Sequence, residues 1–248
     1  MADRPIESLG GRTPLEYAKT PKMDELAAKG EIGMVHTIPD GMKPGSDTAN
    51  LSVLGYNPRE FYSGRSPLEA LSIGVPMKDT DVALRCNIVT LSEEEDNYED
   101  RTIIDHSSGE ISTEECAVLL EAVKKELETD IFHFYVGTSY RHCLIWENGE
   151  VGDLVQPKIG DKLPENEALR TMMKKSYDIL VNHPINIERK KKGLNPANSC
   201  WFWGAGTKPA LYPFTERTHK KGAMISAVDL LKGIAVGTSM KVITVDGA

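Results

Sequence analysis

Strand-like and helix-like segments alternate along this 248-residue chain, and that alternation limits the fold more than any other feature. Residues 31–38 (EIGMVHTI) read as a strand, and 46–54 (SDTANLSVL) as a short helix after the break at Pro44-Gly45. Residues 82–91 (VALRCNIVTL) read as a second strand, rich in Val, Ile and Leu. The spacing predicts a helix over about 113–128. Ser112 and Glu115 form a capping-box pair, and Cys116, Leu119, Leu120, Val123 and Leu127 share one face. Strands at 131–136 and 142–146 flank a turn at Gly137–Tyr140, and a helix follows over 165–182. CWFW (200–203) reads as a buried strand, 222–225 as a strand, 227–236 as a helix and 239–245 as a last strand. Such alternation implies an α/β fold with a mainly parallel sheet.

Composition removes other classes. Against 29 basic residues stand 37 acidic ones, a net charge of −8, which argues against nucleic acid as the main partner. No stretch approaches the ~20 apolar residues of a membrane span. The opening residues MADRPIESLGG lack the apolar run of a secretory signal. Cys86, Cys116, Cys143 and Cys200 are dispersed and make no C-x-x-C pair, which argues against a zinc ribbon and a redox dithiol. They read as reduced, buried thiols of a cytoplasmic protein, with a secreted two-disulfide framework as the alternative.

Ser46 is the sharpest chemical feature. It opens the helix in PGSDTAN, where free N–H groups and the helix dipole stabilise a bound phosphate or a nucleophilic alkoxide. The alternative is a plain N-cap serine. Arg65, on the turn of FYSGRSPLEA, has the fork to clamp a phosphate oxygen bidentately, with a surface arginine as its alternative. Arg85 and Asn87 lie in a strand, Asp105-His106-Ser107 ends a short strand, Tyr140-Arg141-His142 opens another, and Arg189 lies near a loop. In an acidic chain, Arg and His gathered at element ends suggest a small-anion site, although each alone has a structural or surface reading. The six histidines form no H-x-x-x-H or H-E-x-x-H motif, and GAGTKP (204–209) lacks P-loop spacing, so no nucleotide site is expected.

Several segments together carry a resemblance. PGSDTANLSVLGYNPREFYSGRSPLEA resembles the serine-nucleophile segment of the archaeal-type, cofactor-independent phosphoglycerate mutases. RCNIVT, DHSSGEIS, GTSYRH, NHPINIERKKKGLNPANSCWFWGAGTKP, KGAMISAVDLLKGIA and the opening MADRPIESLGGRTPLEYAKTPKMDELA resemble the same family, in order along the chain. The resemblance implies an alkaline-phosphatase-like core with an inserted α/β domain: residues 1–81 begin the core, 82–197 form the insert, and 198–248 return to the core. It implies that Ser46 takes the phosphoryl group from 3-phosphoglycerate and the glycerate takes it back on its other hydroxyl, giving 2-phosphoglycerate. Two divalent metals, manganese with magnesium as the alternative, would activate Ser46, with neither 2,3-bisphosphoglycerate nor a nucleotide required.

For the substrate's phosphate and carboxylate the resemblance implies Arg65, Arg85, Asp105, His106, Arg141, His142, Arg189 and Lys221. Of the family's metal ligands only Ser46 is expected within the chain. The first of the others would precede Met1 and the rest would follow Ala248, so a chain cut at both ends of the core, and at best weakly active, is expected. A phosphatase or another phosphosugar mutase on the same core is the alternative, and so is a non-catalytic phosphate-binding piece. The sequence leaves the oligomeric state open, with a small-molecule substrate as the partner and no membrane or nucleic acid.

Overall fold

A computed structural model describes residues 4–31, 33–150 and 166–244 of the chain. Met1 and positions 165 and 245, which the sequence reading included, lie outside them. Two compact units are present, Met1–Thr37 and Ile38–Ala248.

The first unit carries α1 (Pro14–Tyr17) and α2 (Pro21–Lys29). Thr13 caps α1: its Oγ1 accepts from the Glu16 N–H at 3.2 Å, and the Glu16 carboxylate accepts from the Thr13 N–H at 2.8 Å. No strand forms over the described part of 31–38. Met34 and Val35 are exposed, and no described strand pairs with this segment, so its apolar residues have no ladder to join.

In the second unit the helices are α3 (Ser46–Val53), α4 (Pro58–Phe61), α5 (Arg65–Ser72), α6 (Thr113–Leu127), α7 (Glu167–Leu180), α8 (Pro184–Lys191), α9 (Phe214–Thr218) and α10 (Asp229–Gly237). The strands are β1 (Val82–Leu91), β2 (Ile103–Asp105), β3 (Phe132–Thr138), β4 (Arg141–Trp146), β5 (Ser199–Thr207), β6 (Ala223–Ile225) and β7 (Lys241–Ile243). The capping signal ahead of α6 holds on its serine side, where Ser112 Oγ accepts from the Glu115 N–H at 3.2 Å.

β1 is the centre of a five-stranded sheet. β4 and β5 flank it, β2 pairs with its far end, and β3 lies outside β4. Every pair in this sheet is antiparallel, which corrects the expectation of a mainly parallel one. Only β6 and β7 run parallel. All ten residues of β1 are buried, and apolar residues recur on both of its faces, a pattern that also suits a parallel strand covered on both sides. The signal for the true direction was the short turn between β3 and β4, where Ser139 takes a positive φ of 54° and closes a hairpin.

The two faces of the sheet have different roles. Leu84, Cys86, Ile88, Leu144, Cys200 and Phe202 join the apolar core that α6 and α7 complete. The opposite face carries Ala83, Cys143 and Ile145, packed with Ala70 of α5 and Val75. Strand alternation puts Arg85 and Asn87 on this second face with Ala83.

β5 and α5 approach closely, because a Cβ on Gly206 would overlap the Ser63 backbone, and Gly64 takes the left-handed φ of 138°. Hydroxyls cap the β5 backbone: Ser66 Oγ donates to the Trp203 carbonyl at 3.2 Å and Ser63 Oγ to that of Thr207 at 2.5 Å. Leu51, Tyr56 and Leu68 pack with Leu230 and Ile234 of α10 in a second cluster. Among the described residues, no helix is long and apolar enough to cross a membrane.

Candidate active site

Ser46 is the first residue of α3 and is exposed. The N-cap position belongs to Gly45, whose backbone is extended, so the Ser46 hydroxyl is not used as a cap. Next to it, the buried Asp47 accepts from the Thr48 N–H at 2.8 Å and from the Tyr62 hydroxyl at 2.8 Å. Burial and that bond to Asp47 raise the Tyr62 pKa far above the usual phenol range, so the phenol keeps its proton. The positive charge of Arg65 acts on Tyr62 in the opposite sense.

Arg65 begins α5, and its Nε donates to Glu69 at 2.9 Å. The other oxygen of Glu69 pairs with Arg85 Nη1. Arg85 Nε donates to Asn87 Oδ1 at 3.2 Å, and the same oxygen accepts from Trp203 Nε1 at 3.2 Å. The Arg85 guanidinium lies over the Trp203 ring, 5.7 Å from its centroid. Register explains this shelf, because Arg85 stands opposite Trp203 across β1 and β5. Burial, reinforced by the charges of Arg65 and Arg141, pushes the Arg85 pKa down to about 10, which still leaves it cationic at neutral pH.

Arg141 stands opposite Asn87 across β1 and β4, on the face that holds Arg85. Its guanidinium lies 5.5 Å from the Tyr140 ring centroid, and its Nε is buried without a hydrogen-bond partner. Arg85, Arg141, Glu69, Thr138 and Asp229 line one pocket. An orphaned guanidinium N–H beside a second arginine is a geometry that accepts an oxyanion.

Of the other sequence candidates, His142 also lines this pocket, although its ring turns to the core, and the rest lie elsewhere. His142 faces away from Arg141, into the core. Its Nδ1 accepts from the Gly137 N–H at 3.1 Å, which leaves Nε2 to donate to Cys116 Sγ at 3.1 Å. His106 stacks edge-on against Tyr140, with centroids 5.9 Å apart. Asp105 holds the loop after β2 through bonds from Ser107, Gly109 and Asn195. Burial opposes its charge, but these bonds prevail and keep its pKa below the usual carboxylate range. Arg189 is buried on α8 and donates to Glu115 at 2.6 Å and to the carbonyls of Ser108 and Asn195 at 2.7 and 2.9 Å. Lys221 is exposed just before β6. Glu69 and Trp203 were not among the sequence candidates. The Arg65–Glu69 spacing of one helical turn was a signal for the first, whereas only strand register reveals the second.

His142 gives the fold a pH dependence. Burial, and secondarily the Arg85 charge, pushes its pKa down to about 3. An unfolded chain protonates a histidine near ~6.5. Below that value the unfolded state takes up a proton that the fold refuses, so stability falls as pH drops towards 3. The slope for one group is about 1.4 kcal/mol per pH unit. Urea unfolding at pH 6.5 and 4.5 is expected to show a drop of about 2 kcal/mol that His142→Gln lacks. Equal slopes in the two proteins would contradict this.

No group of three or more His, Cys, Asp or Glu side chains that could hold a metal occurs among the described residues. Ser46 has only Asp47 beside it as an acidic neighbour in sequence, and that carboxylate is engaged by Thr48 and Tyr62. The described residues therefore do not fit a pair of metals.

Residues 27–186 match the family profile described as 2,3-bisphosphoglycerate-independent phosphoglycerate mutase. The chain is 48% identical to a Methanosarcina barkeri protein of that name, covering all of this chain and 63% of the relative. It is 45% identical to a probable one from Geobacter sulfurreducens, with 64% of that relative covered. The solved cofactor-independent phosphoglycerate mutase of Thermoplasma acidophilum superposes with a TM-score of 0.56 at 29% identity, covering 98% of this chain and 67% of that one. A Pyrococcus horikoshii structure superposes with a TM-score of 0.78 at 34% identity, covering all of this chain and 60% of that one. The fold is thus a mixed α/β fold of the alkaline phosphatase type. The chain belongs to the 2,3-bisphosphoglycerate-independent phosphoglycerate mutase family. It spans a little under two thirds of the length of these curated relatives.

Proposed function

We infer that this chain serves the interconversion of 3-phosphoglycerate and 2-phosphoglycerate, an isomerase reaction, and that its arginine pocket holds the substrate. The observation that carries the reading is the buried, unpartnered Nε of Arg141 beside Arg85. A phosphate or carboxylate bridging these two guanidinium groups satisfies that donor and offsets their mutual repulsion. Ser46 is the proposed phosphoryl acceptor: its hydroxyl is exposed at the start of α3 and free of capping duty. Phosphoryl transfer rests mainly on positioning and charge stabilisation, which arginines and a helix N-terminus supply.

Asp105 and Arg189 take a positioning role in this reading. Arg189 bonds the Ser108 carbonyl and Asp105 bonds the Gly109 N–H, so together they hold the loop that carries His106. Two divalent cations, manganese or magnesium, belong to the reading of the whole mutase, of which this chain spans a little under two thirds, and are not held by the described residues alone. A cytoplasmic location, supported by four free, buried cysteines, belongs to it as well. In the proposed division 1–81, 82–197 and 198–248, the first boundary coincides with the start of β1, and the sheet crosses the second through β5.

The test couples 3-phosphoglycerate conversion to enolase, with manganese, with a chelator and with Ser46→Ala. The serine variant is expected to lose about a thousandfold or more of the turnover. Turnover that survives Ser46→Ala would overturn the role of Ser46. Release of inorganic phosphate in place of 2-phosphoglycerate would favour a phosphatase.

A further inference from the structure

The arginine pocket already contains an anion of this chain. Glu69 bonds Arg65 with one carboxylate oxygen and Arg85 with the other. The Glu69 and Arg85 side chains are only 11% and 10% exposed, so the pair is buried, whereas Arg65 is 34% exposed. The guanidinium groups of Arg65 and Arg85 both bond this carboxylate, and the charges of Arg65 and Arg141 act on Arg85. The other acid of the pocket, Asp229, sits 3.8 Å from Lys232. The remaining space is about 20 Å³, room for one water molecule. A phosphate group that bonds Arg65 and Arg85 where Glu69 now does must displace the Glu69 carboxylate.

We propose that Glu69 is the resident counter-anion of this pocket: it holds Arg65 and Arg85 while the site is empty and yields them to an incoming phosphoryl or carboxylate group. The proposal rests on the reading of the pocket as an anion site. It gives Glu69 two opposed effects. In the empty site its charge stabilises a buried guanidinium, and removing one partner of such a pair leaves the other uncompensated. In the occupied site the same charge repels the ligand. A singly charged anion gains little by displacing it. A phosphate monoester, close to two negative charges at neutral pH, gains more. Glu69 thus sets a threshold that favours phosphate esters over simple carboxylates.

Glu69→Gln separates this role from a purely structural one. It keeps the length of the side chain and one carbonyl acceptor but removes the charge. Thermal unfolding and calorimetric titration with inorganic phosphate and 3-phosphoglycerate are the measurements. Without ligand the variant is expected to melt below the wild type. It is expected to bind inorganic phosphate about tenfold more tightly, and saturating phosphate should raise its melting temperature more than it raises that of the wild type. Lower stability with unchanged or weaker phosphate binding means a structural salt bridge and overturns the proposal alone. If the wild type itself binds neither ligand, the anion-site reading fails and the proposal fails with it. Glu69→Asp keeps the charge but is too short to bridge both arginines, so its phosphate affinity should fall between the two. It carries the test if the Gln variant does not fold, and affinity below the wild type would overturn the proposal.

Discussion

Gly233→Ala is expected to destabilise the protein by about 3 kcal/mol, although alanine is the better helix former. In the interior of α10, helix propensity alone would favour alanine by about 1 kcal/mol. Packing decides the sign in the other direction. A Cβ at Gly233 would overlap the carbonyl oxygen of Leu68 in α5. That oxygen is backbone, so it cannot rotate away as the end of a side chain could. Leu68 is itself fully buried among Leu51, Tyr56, Leu230 and Ile234, which leaves α5 nowhere to retreat. Gly237→Ala is the matched control: the nearest atoms to a Cβ there belong to the side chains of Leu211 and Leu71, which can repack. Urea unfolding of both variants measures the difference. Because α5 carries Arg65 and Glu69, Gly233→Ala should also weaken phosphate binding. Stability equal to or above that of the wild type would refute the close α5–α10 contact.

Most helices could be read from the sequence because their signals are local. The N-cap Ser112, the apolar stripe of α6 and the break at Pro44-Gly45 each act within one or two turns. Strand direction and register are not local, and that is where the reading failed. β1 is buried on both faces, so nothing in its sequence distinguishes parallel from antiparallel neighbours. The same limit shaped the site. Arg65 and Arg141 stand out as arginines at element ends and Arg85 as an arginine within a strand, and strand register brings Arg85 and Arg141 to one face. His142 looked equivalent to Arg141 because the two are adjacent, yet adjacent strand residues point to opposite faces, and His142 bonds Cys116 of α6. Arg189 drew attention as a cation beside three lysines. It donates three hydrogen bonds, to the loop before β5, to α6 and to the loop after β2, and the last two lie far from it in sequence.

Arg141→Ala is expected to weaken 3-phosphoglycerate binding by about a hundredfold while leaving the fold intact. The argument turns on what Arg141 does without ligand. Arg85 is tied to Glu69 and Asn87, and Arg189 to Glu115 and two carbonyls, so truncating either also breaks the protein's own interactions. Arg141 makes no hydrogen bond or ion pair with its side chain among the described residues, and its Nε is buried without a partner. Its removal should therefore change the melting temperature little. Two charge-assisted hydrogen bonds to one oxyanion contribute about 3 kcal/mol together, which sets the expected loss. Arg141→Lys should recover only part of it, because an ammonium is a point charge without the planar fork.

Calorimetric titration of the chain with 3-phosphoglycerate, for the wild type and Arg141→Ala side by side with their melting curves, tests the arginine pocket most directly. The expected result is one ligand per chain for the wild type, and a loss of about a hundredfold in the variant at nearly unchanged melting temperature. Absence of binding in the wild type, or equal affinity in the two proteins, would contradict the assignment of this pocket to phosphoglycerate.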